Sequence, residues 1–389
     1  LTGPPEKNWV GVESATSTGK TVLLAGIVFW FIECFKDSLI ITTAPKEDSL
    51  SLQVWRWVNK WYSKFNRGKL TYLKLRMQEG NDDWLALGFV AGVEADADLN
   101  RKAQGFHAEH MLILVEETPG IPHQILEAFT NTSTGEHNIM LCVGNPDNEL
   151  DELHQFCQKQ RVNHVIISAY DHPNVVTGNN NFIPGAATKL SIAGLLETYG
   201  GDENHPMFMS RARGICPAGN QYSLIKAEWI RNAVERFKEK YPKNKVNIND
   251  IEGIHAIGVD VANSEAGDKA AIAKGKGFTL YSIEAFQCPN ANKLGKQVVR
   301  LSKDDDIKHI QVDGVGVGAG TVNTMLEYGL TKDINFQSAA KPVEIPGINE
   351  KFDNLRSQAW WFTRELFRKG FLEMIEDKEL MKELATPMW

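Results

Sequence analysis

Short apolar runs recur along the first half of the chain, each closed by a polar or turn-forming residue. They fall at 9–12, 38–43, 70–75, 84–90, at Met111-Leu112-Ile113-Leu114-Val115, at 139–143 and at 165–168. Runs of this length, rich in Val, Ile and Leu, read as buried strands. Longer apolar stretches at 22–35 and 53–65 lie between them and read as helices. Strands alternating with helices predict a mainly parallel sheet covered on both faces. From about Asn174 to Pro217 the pattern weakens among Gly, Asn and Pro, and this stretch reads as a lid-like subdomain over 174–220.

A helical segment over 225–245 carries Lys226, Arg231, Arg236, Lys238, Lys240, Lys243 and Lys245. It reads as a basic linker over 221–252, its charges mainly a solvated face. Beyond it the order changes. Strands at 257–262, 270–274 and 278–284 precede a helix at 293–301, a strand at 309–313 and a helix at 321–328. Three strands, helix, strand, helix, with acids on the first and fourth strands, is an RNase H-like pattern. The expected fold class is therefore α/β: a mainly parallel-sheet domain of the P-loop (RecA/ASCE-like) kind over 1–220, then an RNase H-like domain over 253–389.

The chemistry sits at the strand ends. Ser14-Ala15-Thr16-Ser17-Thr18-Gly19-Lys20-Thr21 fits G-x-x-x-x-G-K-[ST], except that Ser14 stands at the first Gly. Such a loop aims backbone N–H groups at phosphate oxygens. Ser17, Thr18 and Gly19 would cradle the nucleotide, Lys20 would reach the β- and γ-phosphates, and Thr21 would bind Mg²⁺. Glu116 and Glu117 follow an apolar run, where an acid pair would hold the metal through water and polarise the attacking water. Asn145, after the next strand, is placed to sense the γ-phosphate. Arg101 lies in a loop where an arginine finger would serve.

In the second half, Asp260 is flanked by Val259 and Val261, which predicts a buried acid, costly unless it binds metal. Asp313 ends a further strand. On adjacent strands the two carboxylates converge, and a pair of metal ions there would drive in-line phosphodiester cleavage. Asp268 is a candidate further ligand. A G-x-G-x-x-A string at 314–319 is not read as a dinucleotide site, because it follows a hairpin pattern rather than βαβ.

The chain has 389 residues, enough for more than one domain, and a net charge of -7, which argues against a wholly basic nucleic-acid binder. Five scattered cysteines without a CxxC pair predict reduced thiols and no zinc site. His107, His110, His255 and His309 lack metal spacing and read as structural. Trp55, Trp57, Trp61, Trp360 and Trp361 read as core rather than base-stacking platforms. No apolar run is long enough for a bilayer, and no signal peptide is expected. The first and last residues read as trimmed ends.

Taken in order, the motifs resemble the large terminase subunit of tailed bacteriophages. They are Ser17-Thr18-Gly19-Lys20-Thr21, Thr42-Thr43-Ala44-Pro45, Gln104-Gly105-Phe106-His107, Leu114-Val115-Glu116-Glu117, Gly144-Asn145-Pro146, Asp171-His172-Pro173-Asn174, Gly258-Val259-Asp260-Val261-Ala262, Asp313-Gly314-Val315-Gly316 and Asn354-Leu355-Arg356-Ser357-Gln358-Ala359-Trp360-Trp361. The resemblance covers nearly the whole chain. It implies a motor subunit that hydrolyses ATP with Mg²⁺ to drive double-stranded DNA into a capsid. It also implies a nuclease using Mg²⁺ or Mn²⁺ to cut concatemers, with Glu117 as catalytic acid and Asp260 and Asp313 as metal ligands. The implied partners are double-stranded DNA, the portal protein and a small terminase subunit, without a membrane. The implied protein is a monomer in solution and a homo-oligomeric ring on the capsid. Its place would be the bacterial host cytoplasm, on the procapsid. The family's third nuclease acid is expected on a helix beyond the end of this chain, and much of its adenine-contacting segment is expected before the start. Two other classes compete: a P-loop helicase or translocase-nuclease of DNA repair, and a degenerate, non-catalytic DNA-binding assembly protein.

Overall fold

A computed structural model describes residues 8–91, 105–217, 222–262, 269–304, 307–330, 334–345 and 350–388. The chain divides into two compact units, Leu1–Tyr222 and Ser223–Trp389.

Unit 1 is built on an eight-stranded sheet in the order β3-β4-β5-β2-β6-β7-β1-β8. Its strands are β1 (Trp9–Ser14), β2 (Leu39–Ala44), β3 (Lys69–Thr71), β4 (Lys74–Arg76), β5 (Leu85–Val90), β6 (Met111–Val115), β7 (Asn138–Gly144) and β8 (Val162–Ile167). From β5 to β8 every neighbouring pair is parallel. The apolar run at 70–75, expected as one strand, is instead a tight antiparallel hairpin of β3 and β4. The turn between them falls at Tyr72-Leu73 and reverses the chain, so neither strand can be long.

Every residue of β1, β2, β6 and β7 is buried. The pleat sends Met111, Ile113 and Val115 into one core and Leu112 and Leu114 into the other. That is why these strands read as unbroken apolar runs rather than alternating ones. Helix α1 (Lys20–Cys34) covers one face, together with α2 (Trp55–Phe65). Helix α3 (His123–Thr132) and α4 (Glu152–Cys157) cover the other. Before α2 the chain makes a π-helical turn over Ser49–Val54, so the helical stretch expected from 53 begins four residues earlier. Around 174–217, helix α5 (Lys189–Thr198) packs through Ile192 with Val175, Phe208 and Ala212 against Ala15.

Unit 2 carries β9 (His255–Asp260), β10 (Ala270–Lys276), β11 (Thr279–Phe286), β12 (His309–Asp313), β13 (Asn335–Phe336) and β14 (Glu373–Met374). Their order is β13-β12-β9-β10-β11-β14. The first three pair antiparallel, and β12 joins β9 parallel. An antiparallel meander with its first strand taken up in parallel by the fourth is the RNase H-like arrangement, and it is not a second RecA-like lobe. The segment expected as a basic linker belongs to this unit. Helix α6 (Ala227–Lys240) buries Ile230, Ala233, Val234 and Phe237. Its basic side chains find partners within the unit: Arg236 donates to the Leu372 carbonyl at 2.8 Å, Lys238 pairs with Glu376 and Lys240 with Glu373. Helices α7 (Ala291–Asp304), α8 (Ala319–Glu327), α9 (Leu355–Arg368) and α10 (Lys378–Ala385) complete the unit. Among the described residues, no helix is long and apolar enough to cross a membrane.

Of the tryptophans, Trp55 is fully buried, and Trp57 and Trp61 pack against the same core. Trp360 and Trp361 are half-buried and line a cavity of about 570 Å³ in unit 2. The Trp55 indole N–H donates to Thr42 Oγ1 at 2.8 Å across the sheet face. It fits only because residue 88 is glycine: a Cβ there would lie 2.7 Å from Trp55 Nε1 and 3.2 Å from Leu50 Cδ2. Gly88→Ala should therefore destabilise unit 1 by about 1–3 kcal/mol through overpacking, read from urea unfolding. An unchanged midpoint would show that Trp55 is not wedged as described.

Candidate active sites at the strand ends

In unit 1 the parallel strands deliver their carboxyl ends to one edge of the sheet. Strand β7 lies between β1 and β6, with Glu13 opposite Gly144 and Val115 opposite Cys142. The loop after β1, the acids after β6 and Asn145 after β7 are therefore neighbours, the usual place for ligands in such sheets.

The loop from Ser14 to Gly19 ends on the N-terminus of α1. Only Ser17 (φ 60) and Gly19 (φ 92) in it are left-handed. Ser14 is the last residue of β1 and fully buried, so glycine is not required there. Its hydroxyl lies 2.7 Å from Thr18 Oγ1, which also donates to the Ala15 carbonyl. A Cβ on Gly19 would meet nothing within 4 Å, so the cradle is open above it. Lys20 folds back and donates to the Ala15 carbonyl at 2.7 Å. Burial lowers its pKa to about 8, opposed by the charges of Glu116 and Glu117.

Glu116 is only 4% exposed and accepts from Thr21 Oγ1 at 2.6 Å. Its other oxygen, Oε2, is buried without a hydrogen-bond partner. Burial raises its pKa to about 7, against the Thr21 hydrogen bond, while Glu117 adds to the rise and Lys20 opposes it. An orphaned carboxylate oxygen beside a hydroxyl and an ammonium is a donor set that a hard cation would satisfy.

Glu117 is exposed and sits at φ 50, a conformation uncommon outside glycine. Its carboxylate accepts from Ser49 Oγ at 2.8 Å and from Gln53 Nε2 at 3.4 Å. Both partners come from the π-helical turn, a feature often found at functional sites. Neither residue stands out in the sequence, because an i, i+4 pair on a helix has no reason to point at an acid far along the chain. Asn145 donates to the Ser14 carbonyl at 2.6 Å, tying β7 to the start of the loop. Arg101 and Asp268 lie outside the described residues.

In unit 2, β12 runs beside β9 with Val312 opposite Val259, which puts Asp313 and Asp260 opposite each other one residue on. Both acids therefore share one pleat position at adjacent strand ends. Asp260 closes β9 and is exposed, not buried as its apolar flanks predict. The strand simply ends there, and the pleat turns residue 260 away from the core that holds Val259 and Val261. Behind Asp313 the chain must turn tightly: a Cβ on Gly318 would lie 1.9 Å from the Asp313 carbonyl oxygen.

A third acid, overlooked in the sequence, arrives on α10. Partial burial raises the Glu383 pKa, and the charges of Glu379 and Asp260 push it further. An acidic group thus stands within electrostatic reach of Asp260 inside this chain, where the resemblance places the third acid beyond its end. Two of the histidines read as structural have local partners: His110 faces His137 at 3.0 Å and His255 faces the Tyr281 hydroxyl at 2.5 Å.

No protein-family model matches the chain. It is 23% identical over 361 residues to "Probable terminase, large subunit" of Enterobacteria phage P7, a span of 83% of this chain. The chain covers 66% of that curated relative's length, just under two thirds. Among solved structures, the large terminase from the thermophilic bacteriophage D6E aligns over 100% of this chain and 88% of its own, with TM-score 0.44 and 11% identity. The nuclease domain of the large terminase subunit of bacterial virus Sf6 aligns over 42% of this chain and 81% of its own, with TM-score 0.35 and 20% identity. The resemblance to large terminase subunits drawn from the ordered motifs is borne out by the curated sequence relative.

The buried acid makes a pH-dependent prediction. The Glu116 carboxyl is raised from 4.5 to about 7 on folding. Between those values the folded chain keeps a proton that the unfolded chain has lost, so stability falls as pH rises through that window. Glu116→Gln has no proton to lose and should flatten this slope in urea unfolding measured from about pH 5 to pH 8. Mg²⁺ affinity should rise as the wild-type carboxyl ionises near pH 7 and be weak at every pH in the variant, measured by calorimetry. An identical stability slope in both proteins would exclude Glu116 as the titrating group.

Proposed function

We propose that the chain is a viral DNA-packaging motor subunit that hydrolyses ATP in unit 1 and cuts DNA in unit 2. The observation that carries the first half is the contact of Thr21 with Glu116 beside Lys20, with Glu117 held separately by Ser49 and Gln53. A P-loop lysine and hydroxyl beside two carboxylates in different surroundings are the parts that phosphoryl transfer to water requires. The backbone N–H groups of Ser17, Thr18 and Gly19 would bind phosphate oxygens. Thr21 and Glu116 would hold Mg²⁺, which when bound neutralises developing phosphate charge. Lys20 would leave the Ala15 carbonyl for the β- and γ-phosphates. Glu117, fixed by its two partners, would orient and polarise the attacking water. Asn145, bonded to the loop at Ser14, would carry the presence or loss of the γ-phosphate into β7. Arg101 is the candidate arginine finger.

The second half rests on the register of β9 and β12. Asp260 and Asp313 at one pleat position, with Glu383 within electrostatic reach of Asp260, would make an acidic rim suited to divalent ions. Two Mg²⁺ or Mn²⁺ ions there would activate the attacking water and stabilise the leaving oxygen of a phosphodiester. Asp268 is a candidate further ligand. In this reading Leu1–Tyr222 is the ATPase and Ser223–Trp389 the nuclease. Double-stranded DNA is the substrate, and the portal protein and a small terminase subunit are the partners. The chain would act in the host cytoplasm as a ring on the procapsid. The likeness to a phage large terminase subunit favours this over a repair translocase-nuclease, and the contact of Thr21 with Glu116 beside Lys20 favours it over a degenerate scaffold.

The two activities separate by mutation. Lys20→Ala should reduce ATP hydrolysis on the order of a hundredfold or more while leaving plasmid nicking in Mn²⁺ intact. Asp260→Ala should abolish nicking and leave hydrolysis unchanged, and Glu383→Gln should impair nicking alone. ATP turnover that survives in Lys20→Ala, or nicking that survives in Asp260→Ala, would overturn the corresponding half.

A further inference from the structure

We infer that a second metal site, of the zinc class, lies behind the phosphate loop on Glu13, His154 and Cys216. The donor atoms of these three residues all lie within 4.8 Å of one another. A ligand tetrahedron with bonds of roughly 2.0–2.3 Å has edges of about 3.3–3.8 Å, so small side-chain rotations would close these donors onto one ion. Glu13 is 1% exposed and Cys216 5%, so the pocket is closed to solvent on two sides. The Nδ1 atom of His154 lies 2.7 Å from Glu13 Oε1. On the far side of the same carboxylate, His164 Nε2 lies 3.1 Å from Oε2, and Cys157 completes a second triad of donors with Glu13 and His164. One buried carboxylate thus gathers two imidazoles and two thiols.

The chemistry of the donors selects the ion. Thiolate with imidazole and carboxylate suits zinc and its neighbours, whereas Mg²⁺ and Ca²⁺ favour oxygen alone. The fold builds the site deliberately. Asp151 caps α4, accepting from the His154 backbone N–H at 2.7 Å, and so fixes the turn that carries His154 and Cys157 on one face. Residue 11 of β1 is glycine where Cys157 packs: a Cβ there would meet Cys157 Sγ at 2.5 Å. Glu13 lies on the same side of β1 two residues on.

An ion there would join β1, α4 and the segment after the π-helical turn at Met209–Arg213. Two of these stretches adjoin the phosphate loop: Glu13 directly precedes it, and in the π-helical turn the Arg211 carbonyl accepts from Thr16 N–H at 2.8 Å. Binding requires an ionised Cys216 thiol and an unprotonated His154 Nδ1, so it releases protons to solvent and weakens with acidity. The site stands apart from Thr21 and Glu116 in its donors, and it does not depend on what the loop binds.

The test uses the whole chain, stripped with a chelator, in a Cys34→Ser background that removes the exposed thiol. Titration with Co²⁺ should give a thiolate-to-cobalt charge-transfer band that saturates at one ion per chain and is displaced by Zn²⁺. The oxygen donors at Thr21 and Glu116 cannot produce that band. Cys216→Ser should lose it and Cys157→Ser should keep it. No band in the parent, or a band that survives in Cys216→Ser, overturns the proposal. Should Cys216→Ser fail to fold, zinc-edge X-ray absorption on the loaded parent decides: one sulfur with nitrogen and oxygen neighbours supports the site, and a sulfur-free shell overturns it.

Discussion

Burying a parallel sheet on both faces leaves its strands only one polar outlet, their ends. Everything functional in unit 1 follows from that constraint. Strands β1, β6 and β7 are buried throughout because helices cover both sides, and the chain turns acidic towards their carboxyl ends, at Glu13 in β1 and at Glu116 after β6. Parallel direction then forces the three carboxyl ends to one edge. The contact between Thr21 and Glu116 is where this gathering closes. It joins α1 to the end of β6 across a half-buried polar gap. Without it Glu116 would be a buried carboxylate with both oxygens unpartnered, since Oε2 already lacks a partner. A buried charge is tolerated only when paired or bound to metal, so the site is held in tension by its own composition.

Unit 2 applies the same rule more sparingly. Only the β9–β12 pair brings strand ends carrying acids side by side, and the antiparallel β10 and β11 serve to support it. Asp260 is exposed and Asp313 half-buried, so their convergence depends on register rather than on burial. A one-residue slip of β12 would turn Asp313 to the opposite face. Val312 and Ile310, buried in the core beside Val259 and Ile257, prevent that slip.

Much of this was legible in the chain. Apolar runs marked the strands, Gly-Lys-Thr marked the loop, and acids after apolar residues marked the site. The Asp260–Asp313 pairing followed from strand order. What was not legible shares one physical cause: it depends on tertiary proximity with no local signature. Ser49 and Gln53 meet Glu117 only because a π-helical turn widens the helix there. The 70–75 run looked like one strand because nothing in its composition shows the reversal at Tyr72-Leu73. Asp260 looked buried because its neighbours are, yet a strand end exposes alternate residues. Glu383 was overlooked because an acid on an amphipathic surface helix looks ordinary. The absence of a CxxC pair argued against a zinc site, whereas the cluster proposed around Glu13 draws His154, Cys157, His164 and Cys216 from separate stretches of the chain, which spacing rules do not describe.

The adjacent pair Glu116-Glu117 shows how one strand end can serve two chemical purposes. Successive residues of an extended chain point to opposite sides, but Glu117 is no longer extended: at φ 50 the chain has left the sheet. That break separates the two carboxylates into different media. One lies under the loop against Thr21, where burial favours its neutral form and a bound cation would favour the ionised one. The other stands at the surface, where two neutral donors fix its position without neutralising it. Dividing environments between neighbouring acids is how one site obtains both a metal ligand and a base. A regular continuation of the strand would have left both carboxylates on opposite faces of the sheet, and only the strained residue lets them face one cradle. The left-handed backbone at Glu117 is therefore the feature on which the proposed division of labour turns.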